Sequence, residues 1–229
     1  MIRINELKLP LDEDEKELYR LAAKALKIGE RHIRELTICK KSVDCRKKDD
    51  IKFIFSVDVA LDIDEKRVAS KAGNRVSLSE KSVYTLPPVK RKSTLRPVIV
   101  GFGPAGMFAA LTLTEAGLSP IIIERGETVD ERTASVKSFW RTRVLNPESN
   151  VQFGEGGAGT FSDGKLTTGI KSPFIRKVLD ELYEAGAPEE ILYSSKPSRG
   201  TDRLAIVVKN IRKKIESLGA EDRLECKVE

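Results

Sequence analysis

Residues 97–126 read PVIVGFGPAGMFAALTLTEAGLSPIIIERG, and this stretch decides the fold. Two short wholly apolar runs, Val98–Val100 and Ile121–Ile123, flank a segment whose Met107, Phe108, Leu111 and Leu113 belong to a helix closed by Gly117. Apolar runs without polar alternation predict strands buried on both faces, as in a parallel sheet. The stretch therefore predicts a βαβ unit of about thirty residues. Gly101, Gly103 and Gly106 form G-x-G-x-x-G directly after the first strand and at the opening of the helix. The first glycine permits the tight turn, the second lets a pyrophosphate approach the backbone, and the third lets the helix pack against the strand. A diphosphate there meets free N–H groups and the positive end of the helix dipole.

Glu124 follows Gly101 by 23 positions, at the end of the second strand. A carboxylate at that place accepts hydrogen bonds from an adenosine ribose and repels a 2′-phosphate, so NADP is disfavoured at this site. FAD and NAD both keep the free ribose hydroxyl, and Glu124 does not separate them. The separation comes from VQFGEGGAGTFSDGKLTTG (151–169), which holds six glycines and four interleaved hydroxyl residues, Thr160, Ser162, Thr167 and Thr168. That density is far above the usual glycine content of roughly 7%. Exposed amides and hydroxyls make anion-binding concavities. A second cradling loop about fifty residues after the first suits FAD, a long ligand touched by separate segments. Lys165 would bring a positive charge towards a flavin edge or a substrate. The plainer reading of this loop is a flexible Ω-like connection.

The rest of the chain is read outward from there. A chain of 229 residues, 40% of them hydrophobic, can bury a core, which argues against wholesale disorder. No run of about 18 apolar residues is free of Gly, Pro or charge, so no membrane span is expected. MIRINELKLPLDEDEKE shows no secretory signal, and three cysteines without a CxxC pair fit a reducing compartment, so a cytoplasmic location is expected. A single histidine, His32, excludes His-rich zinc sites. Residues 1–96 carry 23 Lys/Arg against 16 Asp/Glu, whereas residues 97–229 carry 18 against 19, so the basic excess belongs to the first part. Residues 31–52 are its densest stretch, either a solvated face or a contact for nucleic acid or a partner.

That first part predicts a small α+β module of β-α-β-β order. Residues 2–9 alternate around Ile2, Ile4, Leu7 and Leu9, and Leu18, Leu21, Ala22, Ala25 and Leu26 form a helical stripe ended by Gly29. Residues 33–44 and 51–61 are β-rich. SEKSVYTLPPVKRKSTLRP (79–97), with its paired prolines, suits an exposed linker. The expected division is a module over 1–85, a linker over 86–96 and a Rossmann-type domain over 97–229. Cys39 and Cys45 are read as ordinary buried or half-buried side chains, and Trp140 as a core or interface anchor.

Three segments together, VIVGFGPAGMFAALTLTEAG, then IIIERG, then NVQFGEGGAGTFSDGKLTTG, resemble the family of FAD-dependent dehydrogenase-like proteins, the NAD(FAD)-utilising dehydrogenases, within the glutathione-reductase-type flavoproteins. KKSVDCRKK (40–48) resembles their N-terminal appendage and GAPEEILYSSKPSRGTDRL (186–204) their next segment. The resemblance implies that Gly101, Gly103, Pro104, Ala105 and Gly106 hold the FAD diphosphate and that Glu124, with Arg125 beside it, takes the ribose. Residues from Gly156 to Lys165, including Gly157, Ala158, Thr160 and Ser162, would line the diphosphate and flavin side. A basic amphipathic helix over 203–218, stopped by Gly219, leads to a third parallel strand, and the backbone of Val228 is the candidate reader of adenine.

Relatives of that family are roughly twice as long, so the expectation is an incomplete Rossmann-type sheet and a split or truncated gene product, able at most to bind FAD in part. The expected function is an FAD-binding oxidoreductase or its N-terminal fragment, moving a hydride or electrons through the flavin. NAD(P)H is a candidate donor, and the small-molecule or protein electron partner is unknown. No catalytic residue is identified, and Asp163 and Lys165 are the first to mutate. The alternatives are an NAD-dependent dehydrogenase and a non-catalytic RNA- or partner-binding adaptor led by the basic module.

Overall fold

The computed structural model describes residues 1–80, 84–90, 93–162, 172, 174–194 and 201–229, the side chains of 201 and 202 excepted. The polypeptide forms two units, residues 1–83 with 189–197, and residues 84–188 with 198–229.

The first unit runs β1 (Ile2–Pro10), α1 (Glu17–Leu26), β2 (Ile33–Asp44), β3 (Lys52–Leu61), α2 (Glu65–Lys71) and β4 (Val76–Leu78). The sheet order is β2-β3-β1-β4, and the three pairings are antiparallel. This is the split βαβ arrangement, with one more helix and one more strand than the β-α-β-β pattern expected from the sequence. Those two were illegible because α2 (EKRVASK) has no buried residue and β4 is three residues long. Asp64 starts α2 by accepting the N–H groups of Lys66 and Arg67 at 2.9 and 3.1 Å. The core joins Ile2, Ile4, Leu7 and Leu9 of β1 to Leu18, Ala22 and Leu26 of α1 and Phe55, Val57 and Val59 of β3.

The spacing of the β1 residues contains a slip of one between Ile4 and Leu7. A bulge accounts for it: the register with β3 shifts there and Glu6 lies at φ 59°. One extra residue returns Leu7 and Leu9 to the buried face. The end of α1 also differs from expectation. Lys27, not Gly29, takes the left-handed conformation (φ 58°, ψ 42°), and Ile28 N–H returns to Ala23 O at 3.0 Å. Gly29 is at φ −76°, open to any residue. The outer edge of β2 is met by residues 193–194, with Lys41 N–H donating to Tyr193 O at 2.8 Å. Cys39 is half-buried, whereas Cys45 is exposed, contrary to its expected burial.

The second unit contains β5 (Val98–Val100), α3 (Pro104–Glu115), β6 (Ile121–Ile123), α4 (Val129–Thr142), α5 (Phe174–Glu184), α6 (Thr201–Ser217) and β7 (Glu221–Arg223). The sheet order is β5-β6-β7, all parallel, with Val98 beside Ile121 and Ile121 beside Glu221. Gly117 (φ +75°) and Gly219 (φ +97°) make the turns after α3 and α6, where a left-handed backbone favours glycine. The core gathers Met107, Ala110 and Leu111 from α3, Ile122 from β6, and Val207, Val208, Ile211 and Ile215 from α6.

The expectation of two fully buried strands is corrected at β5. Side chains of one strand point alternately to its two faces, and Val98 and Val100 on one of them are 57% and 67% exposed. Among the described residues no strand pairs with the outer edge of β5. Trp140, expected as a core or interface anchor, stands 52% exposed on α4. No described helix is long and apolar enough to cross a membrane.

Candidate functional site

The turn from β5 into α3 carries the geometry the three glycines predict. Gly101 lies at φ +95°, and its N–H donates to Ile123 O at 2.7 Å, tying the turn to the end of β6. A Cβ at Gly106 would sit 1.9 Å from Gly101 O, so only glycine lets α3 start this close to the strand. Gly103 is different. A Cβ there would meet nothing nearer than Gly157 Cα at 3.8 Å. Gly103 is the residue before the helix, no side chain caps α3, and Pro104 and Ala105 are exposed at its first turn. The amino end of a twelve-residue helix therefore opens outward over bare backbone.

Glu124 does more than the sequence implied. It is 5% exposed, and its carboxylate accepts three backbone N–H groups: Phe102 at 2.7 Å, Gly126 at 3.0 Å and Gly154 at 3.1 Å. A carboxylate offers about four acceptor positions, so these three bonds leave one. Its first task is to knit the β5–α3 turn, the end of β6 and the second glycine loop into one body.

That second loop is shaped from beneath by two charged residues the sequence reading missed. Arg132 of α4 is fully buried and donates to four backbone carbonyls, Asn150 at 2.9 Å, Val151 at 3.1 Å, Gly154 at 3.2 Å and Glu155 at 2.6 Å. Burial pushes its guanidinium down to about 10, against the upward pull of Glu124 and Glu155. Glu155, also fully buried, accepts Val129 N–H at 2.6 Å and Arg212 Nε at 2.9 Å. Burial holds its carboxyl above the ordinary range, opposed by these same bonds. Arg132 falls on the buried stripe of α4 with Val129 and Val136, a place where a charged residue reads as exposed, and Glu155 lies in no helix or strand, so neither is marked as buried by its residue type. The glycines above them are fitted to this scaffold. A Cβ at Gly154 would strike Arg132 Cδ at 2.5 Å, and a Cβ at Gly157 (φ +67°) would sit 3.2 Å from Gly103 Cα. The two glycine turns thus face each other, joined by Gly156 N–H donating to Phe102 O at 2.8 Å.

Beside them lies a cleft of about 340 Å³. Of the predicted residues it is lined by Gly101, Gly103, Glu124, Arg125, Gly157 and Val228. The segment holding Val228 is fixed by Cys226 N–H donating to Glu124 O at 2.9 Å, which runs residues 226–228 along the cleft. Phe153, Gly154, Cys226 and Lys227 also line it and were not anticipated. Pro104, Ala105 and Gly106 stand at the adjoining helix start. Gly156, Ala158, Thr160 and Ser162 do not line the cleft. Ala158 and Ser162 are exposed, and the Ser162 hydroxyl donates to Gly159 O at 2.8 Å. Thr160 is 3% exposed, and its hydroxyl finds no hydrogen-bond partner among the described residues. Asp163, Lys165, Thr167 and Thr168 lie outside the described residues.

In the first unit, part of the charge in 31–52 is engaged locally. Lys41 pairs with Glu15, Arg46 with Asp44 at 2.6 Å and Lys52 with Asp50 at 2.8 Å. His32 Nδ1 lies 2.9 Å from Asp62. Among the described residues no three His, Cys, Asp or Glu side chains gather as metal ligands.

Residues 1–60 match a family described as a domain of unknown function, DUF8436. A protein from Clostridium beijerinckii, named "Uncharacterized protein", is 50% identical over 230 residues, an alignment covering 100% of this chain. The chain spans 43% of that relative's length.

Proposed function

We propose that the second unit binds an adenine dinucleotide, FAD before NAD, and that the chain serves as the FAD-binding part of an oxidoreductase. The observation that carries this reading is the convergence on one cleft of the glycine turn, Glu124, Arg125, the facing Gly157 and the backbone of 226–228, beside the uncapped start of α3. Its volume, about 340 Å³, lies at the small end of ligand pockets, which run ~300–1,000 Å³, and suits the ADP half of such a cofactor. Glycine at 103 leaves the first amides of α3 uncovered by a side chain on the cleft side, where a diphosphate would meet them.

Bound flavin would supply the redox chemistry, accepting and passing on a hydride or electrons. The residues of this chain hold and orient. Glu124 keeps one acceptor position for the ribose while locking the turn. The α3 amides receive the diphosphate, and residues 226–228 offer main-chain groups to the base. Buried Arg132 and Glu155 fix the second loop so that none of this has to be ordered on binding, which lowers the cost of association. The electron donor, NAD(P)H or another small molecule or protein, would act on the flavin. Isothermal titration of the purified chain with FAD and with NAD tests the reading. Saturable one-to-one binding of FAD, tighter than NAD, supports it, and no heat from FAD, NAD or ADP at millimolar concentration contradicts it.

A further inference from the structure

Arg125 follows Glu124 at the exit of β6 and, besides the cleft, lines a second cavity with Glu148 and Lys227 that none of residues 101–106 borders. Its Nε and Nη2 both donate to Glu148 Oε2, at 2.9 and 2.6 Å, and its guanidinium carbon lies 4.2 Å from the centre of the Phe153 ring. Arg125 and Phe153 both line the cleft, beside Cys226 and Val228. A free arginine has five N–H donors on a mobile stem, but this one is held from its edge by a carboxylate and from its face by a ring. Its charge is already partnered by Glu148, with Lys227 Nζ also 4.0 Å from that carboxylate, so what it chiefly offers a ligand is a flat surface.

We propose that Arg125, backed by Phe153 and fixed by Glu148, is the stacking platform for the adenine ring of the dinucleotide. This rests on the adenine-dinucleotide reading above and adds which residue recognises the base and how. The diphosphate is assigned to the α3 end, so the platform recognises the base and not the phosphates. A planar guanidinium stacks on aromatic rings, whereas the ammonium of lysine carries the same charge without the plane. Arg125→Lys is therefore the discriminating variant, with Phe153→Leu as a second that removes the backing and leaves Arg125 in place.

The test titrates the full chain and both variants with ADP and, separately, with inorganic pyrophosphate, and checks folding by circular dichroism. Arg125→Lys is expected to weaken ADP binding about tenfold and pyrophosphate binding less than twofold. Phe153→Leu is expected to weaken ADP severalfold in the same selective way. Wild-type ADP affinity in folded Arg125→Lys overturns the platform, as does an equal loss for ADP and pyrophosphate, which would make Arg125 a phosphate-binding charge. If the wild-type chain binds neither probe, the dinucleotide reading itself fails. Wild-type binding of ADP with unaltered variants defeats only the platform.

Discussion

Replacing Glu124 by Gln keeps the size of the side chain and removes one acceptor oxygen and the charge. The wild-type carboxylate accepts Gly126 and Gly154 on Oε1 and Phe102 on Oε2. The amide oxygen of Gln can take over the first pair, but its NH₂ then faces the Phe102 N–H across a 2.7 Å gap, donor against donor. One unsatisfied buried donor costs about 1–3 kcal/mol. Two remaining bonds that lose charge assistance fall to about half their strength, a further ~1 kcal/mol. The expected loss is therefore about 3 kcal/mol for the second unit. With a urea slope of about 1–3 kcal/mol per molar for a unit of this size, the midpoint falls by about 1–3 M. Trp140 is the single tryptophan and belongs to this unit, so its fluorescence during urea unfolding reports the right transition. A midpoint within 0.3 M of wild type, on the order of 0.5 kcal/mol, would refute the view that this carboxylate knits the three segments together.

The two glycines should part company in the same assay. Gly106→Ala drives a Cβ to 1.9 Å from Gly101 O and is expected to cost roughly 3 kcal/mol or more, whereas Gly103→Ala meets its nearest neighbour at 3.8 Å and should stay within ~1 kcal/mol while weakening FAD binding. Equal destabilisation of the two would show that the space over Gly103 is structural. Thr160→Val removes a buried hydroxyl with no partner among the described residues and is expected to leave the protein unchanged or up to about 1 kcal/mol more stable. A urea midpoint showing a loss of more than about 1 kcal/mol would contradict this. Burial pushes the Glu181 carboxyl upward, but the bonds from Lys177 and Lys214, both at 2.6 Å, outweigh it and hold the group below its ordinary value. Its stabilising contribution is therefore complete above an unfolded-state value of about 4.3 and is lost as pH falls through the lower folded-state value. Glu181→Gln should lower the urea midpoint at pH 7 and flatten its decline into acid, and an acid limb as steep as wild type would contradict this.

The glycine turn was legible because its constraints are local. A left-handed Gly101, a helix start in contact with the strand at Gly106 and a terminal acid at Glu124 each leave a residue type at a fixed spacing. The third parallel strand followed from the helix before it. What the sequence hid are consequences of long-range packing. Arg132 is bound to carbonyls 18–23 residues ahead of it, so the reason for its burial lies outside any window around it. Gly154 and Gly157 looked like part of a ligand loop, and both line the cleft, but Gly154 is also required by the close approach of Arg132 beneath it. The role of Glu124 was read as ligand contact because its three backbone donors come from three separate segments. In the first unit the bulge at Glu6 explains an alternation that the sequence showed only imperfectly. Val98 and Val100 are apolar as a buried strand requires, and their exposure comes from the absence of a described neighbour on that face, which no strand reveals by itself.

The central claim is that an adenine cofactor lies between the turn after β5 and residues 226–228. Cys226 is half-buried and lines that cleft, while Cys45 is exposed in the other unit and serves as an internal reference. Alkylation of both thiols, followed by mass spectrometry with and without saturating FAD, measures occupancy of the cleft. The account predicts that FAD slows modification of Cys226 at least severalfold and leaves Cys45 unchanged. Equal rates at Cys226 with and without FAD, in a chain shown to bind it, would place the cofactor elsewhere.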